Sequence, residues 1–212
     1  TAGSEIGQIF RPGRGKTEGM GCGFTPKSDL TIQGKEVKWG ADIVSMGVVV
    51  DSGLNFEAQL AEMRRRSVAA LPIIATISHL AGLSWEEHVR AVPVRVESKA
   101  CQGAEFTILN EKAPGRLNEM QRIWGAALLD VYPGNALFTR IAGWKLLCEL
   151  GWTARQWHRT VVRAVMLEER AKVSGWYALT TAMGLATSIP GGWTHRVHRL
   201  REEFGIADTP PP

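Results

Sequence analysis

Hydrophobic positions recur in two different rhythms along this chain. Up to about residue 54 the apolar runs are short and β-branched. Leu30-Thr31-Ile32 and Glu36-Val37-Lys38-Trp39 flank Gly34-Lys35, which predicts a hairpin, and Ile43–Val50 predicts a buried strand ended by a turn at Asp51-Ser52-Gly53. Beyond that point the spacing becomes helical. Asn55 is placed to cap a helix carrying Phe56, Leu60, Met63, Ser67 and Leu71 three or four apart, and Pro72 should end or kink it. Ser84 with Glu87 forms a capping box for a second helix, which Pro93 should kink. A turn over 110–115 precedes an apolar stripe of Leu117, Met120, Trp124 and Leu128. Tyr132–Asn135 reads as a turn, 135–150 as a helix stopped by Gly151, and Thr153 as the cap of a long helix to about Val173. Shorter helices are expected over Trp176–Ala186 and Thr194–Phe204, with a disordered tail from Thr209 to Pro212. The expected fold class is mainly α, with a small N-terminal β hairpin or sheet remnant.

Composition narrows the class without fixing the function. The 212 residues are 44% hydrophobic and 22% charged, an ordinary globular balance, and the net charge is +4. Cys22, Cys101 and Cys148 are widely spaced, with no C-x-x-C pair, which points to a reducing, intracellular setting and away from a zinc finger. No apolar run approaches the length of a membrane span, so no membrane partner is expected. The chain opens at Thr1 without a signal pattern and reads as part of something longer.

Three motifs bear on chemistry. Gly13-Arg14-Gly15-Lys16-Thr17 approaches the phosphate-cradling G-x-x-x-x-G-K-[ST] loop, but Phe10 stands where the first glycine belongs, and Gly19, Gly21 and Gly23 oppose the helix that should follow. Lys16-Thr17-Glu18-Gly19-Met20 instead resembles the K-T-E-x-M segment of non-LTR (LINE-type) retrotransposon reverse transcriptases. Downstream, Gly47, Val48, Asp51, Leu54 and Phe56 match that family's aromatic-Leu-Gly-Val-x-Leu-Asp-x-x-Leu-x-Phe pattern, while Ser45 and Met46 depart from it. Gly103-Ala104-Glu105-Phe106 is similar to its Tyr-Gly-x-Glu-x-Trp, with Gln102 in place of the tyrosine. Leu117, Gln121 and Arg122 resemble its Leu-x-x-x-Gln-Arg helix, and Glu149-Leu150-Gly151 its Glu-x-Gly.

The resemblance implies that residues 1–52 are the end of a palm with its primer-grip region, 53–175 a thumb-like helical bundle, and 176–212 an extension. It implies a parent RNA-directed DNA polymerase using Mg²⁺, with an RNA/DNA template–primer duplex and the remaining palm and fingers as partners. Lys16 would lie near the incoming triphosphate. The paired palm aspartates are missing: Asp29, Asp42, Asp51, Asp130 and Asp208 include no Asp-Asp, so this chain by itself is expected to bind and not to polymerise, with no cofactor of its own.

Basic residues supply the candidate interface. Arg64-Arg65-Arg66 fan out around one helix, while Arg155, Arg159 and Arg163 recur every fourth position and share a face suited to phosphates. Residues 151–205 hold eight Lys/Arg against four glutamates, an excess equal to the whole net charge. His195 and His198 are three apart with no third metal ligand near. The competing expectation is a non-enzymatic helical protein-interaction module from a degenerate element.

Overall fold

In a computed structural model the described residues are 18–21, 30–32, 35–79, 82–131, 140, 142–173 and 190–206. Lys16, Cys22, the turn over 132–135, the first part of the helix expected over 135–150, the helix expected over 176–186 and the tail lie outside them. The chain divides into two compact units, Thr1–Gln59 and Leu60–Pro212.

Strands in the first unit are short. β1 (Glu18–Gly19) pairs in parallel with β4 (Lys38–Trp39), and Gly19 packs under the Trp39 indole so closely that a Cβ there would sit 2.7 Å from the ring. β2 (Thr31–Ile32) and β3 (Lys35–Glu36) form the expected hairpin, and Lys35, expected between the two runs, is already a strand residue paired with Ile32. The single strand expected over Ile43–Val50 is instead a second hairpin, β5 (Asp42–Ser45) with β6 (Val48–Asp51). Its turn is Met46-Gly47, both at positive φ (49° and 80°), as a tight hairpin turn of the primed kind requires. Met46 is 92% exposed, which is why the apolar run did not betray the turn. Asp51 then folds the chain back on itself. Its Oδ1 accepts from the Asn55 amide (3.2 Å) and its Oδ2 from the Phe56 amide (2.7 Å), holding Leu54 and Phe56 at the positive φ values (51° and 57°) that L-residues resist. Asn55 Oδ1 accepts from the Glu57 amide at the start of α1 (Glu57–Ala69), in line with its expected capping role.

The second unit is helical. Pro72 sits in the first turn of α2 (Leu71–Ser78), where a missing N–H costs nothing, so the proline separates α1 from α2. The capping box of Ser84 and Glu87 opens α3 (Trp85–Val92). Pro93 cannot donate an amide hydrogen bond, and the helix continues through a wide π turn over Pro93–Glu97 into Ser98–Ala100. Gly103 (φ 76°) then turns the chain into a 3₁₀ segment, Ala104–Leu109.

α4 (Ala113–Leu128) buries the expected stripe of Leu117, Met120, Trp124 and Leu128. It ends at Asp130 (φ 57°), where the Asp130 amide bonds Ala127 O and the Val131 amide bonds Ala126 O. α5 (Gly143–Glu149) packs Leu146 and Leu150 against Gly125 of α4, and Gly151 (φ 61°) ends it with the same paired bonds, to Cys148 O and from Trp152 to Leu147 O. α6 (Gln156–Val173) begins three residues after Thr153, the expected cap. Its first amides are instead satisfied from α4: Gln156 N donates to Gln121 Oε1 (2.9 Å) and Trp157 N to Asn118 Oδ1 (3.0 Å). α7 (Trp193–Glu203) is fastened by Trp193 Nε1 donating to Glu105 O, and by Arg201 pairing with Glu169 on α6. One apolar core runs through these helices, from Leu60 and Met63 to Val197 and Leu200.

Candidate nucleic-acid interface

The arginines marked by the sequence meet very different surroundings. On α1, Glu62 holds two of the three in its run: Arg65 by paired bonds of 2.6 and 2.7 Å, and Arg66 at 2.9 Å. The Arg65 hydrogen bond most of all, opposed by partial burial and helped by the Arg66 bond, lowers the Glu62 carboxyl from 4.5 to about 2. Arg64 is exposed and forms no ion pair among the described residues.

Arg159 and Arg163 do share a face of α6, and that face is turned toward Glu97. Glu97 is buried, Arg159 reaches its Oε2 at 2.8 Å, and Arg163 lies 3.5 Å from its Oε1. Gln156 Nε2 donates to the same Oε1 at 3.2 Å, and Gln121 Nε2 donates to Ala154 O. The Arg159 guanidinium and the Gln156 amide thus meet the buried carboxylate at hydrogen-bonding distance, and Arg163 adds a longer ion pair. Beside it, burial pushes the Cys101 thiol up to about 12, and the Glu97 charge adds to the effect. These two arginines therefore spend much of their charge internally. Nothing in the sequence spacing revealed this, because Glu97 is more than fifty residues away and emerges from the π turn after Pro93.

Arg155 differs. It precedes α6, is exposed, forms no ion pair among the described residues and lines a groove of about 260 Å³ between α4 and α5. Trp144, 57% exposed, and Arg122 line the same groove, and Arg122 is held by paired bonds of 2.7 and 2.8 Å to Glu119. Neither Trp144 nor Arg122 was marked as a site residue from the sequence. The available signal was that Trp144 falls outside the apolar stripe of its helix, which is carried by Leu146 and Leu150. No family model, curated protein or solved structure matches the chain.

A second groove, about 420 Å³, lies between Trp85 and Trp152, with Glu86, Glu149 and Arg90 on its walls. Its carboxylates outnumber its cations, which disfavours phosphate. His198 Nε2 lies 2.7 Å from Glu168 Oε1, tying α7 to α6. The described residues of the first unit do not cluster carboxylates as two-metal polymerase chemistry requires. Asp42 and Asp51 face each other across the β5–β6 hairpin, but both Asp51 oxygens are engaged by backbone amides. No group of three His, Cys, Asp or Glu that could hold a metal occurs among the described residues, and no helix there is long and apolar enough to cross a membrane.

Proposed function

We propose that this chain is part of an RNA-directed DNA polymerase of the non-LTR retrotransposon kind, and that its helical unit binds the template–primer duplex by its backbone without itself carrying the catalytic centre. The observation that carries the reading is a coincidence of residues. Several of those on which the family resemblance rests hold turns, caps and clamps of the fold. Gly47 makes the β5–β6 turn, Asp51 clamps the reversal into α1, and Gly103 opens the 3₁₀ segment. Gln121 caps α6 from α4, and Gly151 ends α5. A shared pattern that maps onto turns, caps and clamps is what a shared backbone would impose.

Arg155 and Arg64 are the arginines best placed to meet phosphates, since the other four marked arginines pair with Glu62 or Glu97. The Mg²⁺ of the parent enzyme would be held by palm aspartates that this chain does not supply as a pair. The test is binding of a labelled RNA–DNA hybrid to the 212-residue chain and to Arg155→Glu. The reading expects weakened binding in the variant and no primer extension by the chain alone; hybrid affinity indistinguishable from that of a neutral control protein refutes it.

A helical protein-interaction module is the rival, favoured by the Trp85–Trp152 groove with its acidic walls. It expects retention of a basic protein partner, and hybrid binding that Arg155→Glu leaves untouched.

A further inference from the structure

Beside Arg155, the groove between α4 and α5 presents an exposed indole. We infer that it seats one unpaired nucleotide, with the base against the Trp144 indole and the neighbouring phosphate on Arg155. This rests on the nucleic-acid reading above and names a separate strand feature within it.

Three observations converge. First, Trp144 is 57% exposed while its helix buries Leu146, so a large aromatic surface stands open at the groove. Bases inside a duplex offer only their edges to a protein, whereas an unpaired base offers its face, and base–aromatic stacking does not depend on sequence. Second, the charge suits an anion. Arg155 lines the groove and the Lys145 ammonium sits over the Trp144 ring, 5.6 Å from its centroid, while Arg122 and Glu119 offset each other as a pair, so the balance is positive. The other groove has the opposite balance, two carboxylates against Arg90, so the preference belongs to this site and not to the surface at large. Third, two lining positions carry no side chain. A Cβ added at Gly115 would meet nothing within 4 Å, and one at Gly143 would meet only the Arg122 Cδ at 3.8 Å. A groove of about 260 Å³ with no side chains at those two lining positions has room for a single planar base.

The experiment compares a blunt labelled RNA–DNA hybrid with the same hybrid carrying a short single-stranded overhang, by fluorescence anisotropy with the full 212-residue chain. The overhang should tighten binding about tenfold, the effect of one base–aromatic stack. Trp144→Ala should lose that gain while keeping blunt-hybrid affinity, and Trp144→Phe should retain most of it. Circular dichroism should leave both variants folded, since the side chain is exposed. Equal wild-type affinity for the two hybrids, or a gain that survives Trp144→Ala, overturns the nucleotide seat and leaves duplex binding standing. Binding to neither hybrid overturns both.

Discussion

Glu97 and Arg155 test opposite uses of charge in the same unit. Glu97 is buried and accepts from Arg159 and Gln156, so Glu97→Gln should cost about 1.5–3 kcal/mol in urea denaturation, the range for hydrogen bonds to a charged group. Arg155→Glu should shift stability by less than about 0.5 kcal/mol, as exposed substitutions do, and should act on nucleic-acid binding instead. Equal destabilisation by the two would deny the division between structural and exposed arginines. The cysteines separate in a similar way. Cys148 is exposed, whereas Cys101 is buried with its thiol pushed up to about 12, so iodoacetamide at neutral pH should label Cys148 in the native protein and Cys101 only after unfolding, as read by peptide mass spectrometry. Glu62 gives a pH dependence with a definite sign. Its carboxyl falls from 4.5 to about 2 on folding, so the folded state gains from it above pH 4.5 and loses that gain as the pH drops toward 2. Thermal melts should therefore show wild type above Glu62→Gln at neutral pH, with the difference shrinking through that acid window.

Helices reveal which signals a sequence carries on its own. The α4 stripe and the Ser84–Glu87 box were legible because each depends on residues one or two turns apart in the same element. The start of α6 was not, since its amides are capped by Gln121 and Asn118 from another helix and no local residue announces it. The end of α4 was hidden for another reason: Asp130 takes the left-handed conformation that is ordinarily read from glycine. At the candidate site, the spacing of Arg159 and Arg163 correctly gave a common face but not its orientation, because their partner lies beyond a helix widened at Pro93. Gly125 shows a packing constraint of the same non-local kind. A Cβ there would sit 2.7 Å from Leu150 Cδ1 and 2.8 Å from Leu146 Cδ2, where α4 meets α5. Gly125→Val should destabilise by about 1–3 kcal/mol through overpacking, despite the poor helix propensity of the glycine it replaces. A chemical-denaturation midpoint at or above wild type would mean that α5 moves freely away from α4.

Net charge describes the whole molecule poorly as a nucleic-acid binder. The excess of +4 is mild, and of the six arginines the sequence marks, Arg65 and Arg66 already face Glu62, and Arg159 and Arg163 already face Glu97. A guanidinium that keeps a protein carboxylate as its counterion releases few condensed cations when a phosphate approaches. Only cations that exchange solution ions for phosphates contribute to the salt dependence, at roughly −0.9 in log–log slope each for duplex DNA. If all six arginines engaged phosphates the slope would approach about −5, whereas Arg64 and Arg155 alone give roughly −2. The expected outcome for an RNA–DNA hybrid is therefore a slope near the smaller value between low and moderate salt, moving toward zero by about one unit in Arg155→Glu. A slope near the larger value would mean that Glu62 and Glu97 surrender their arginines on binding, which Glu97→Gln should then mimic by tightening the complex. A slope of zero in the wild type would remove phosphate contact from the account altogether and leave the Trp85–Trp152 groove as the surface to pursue.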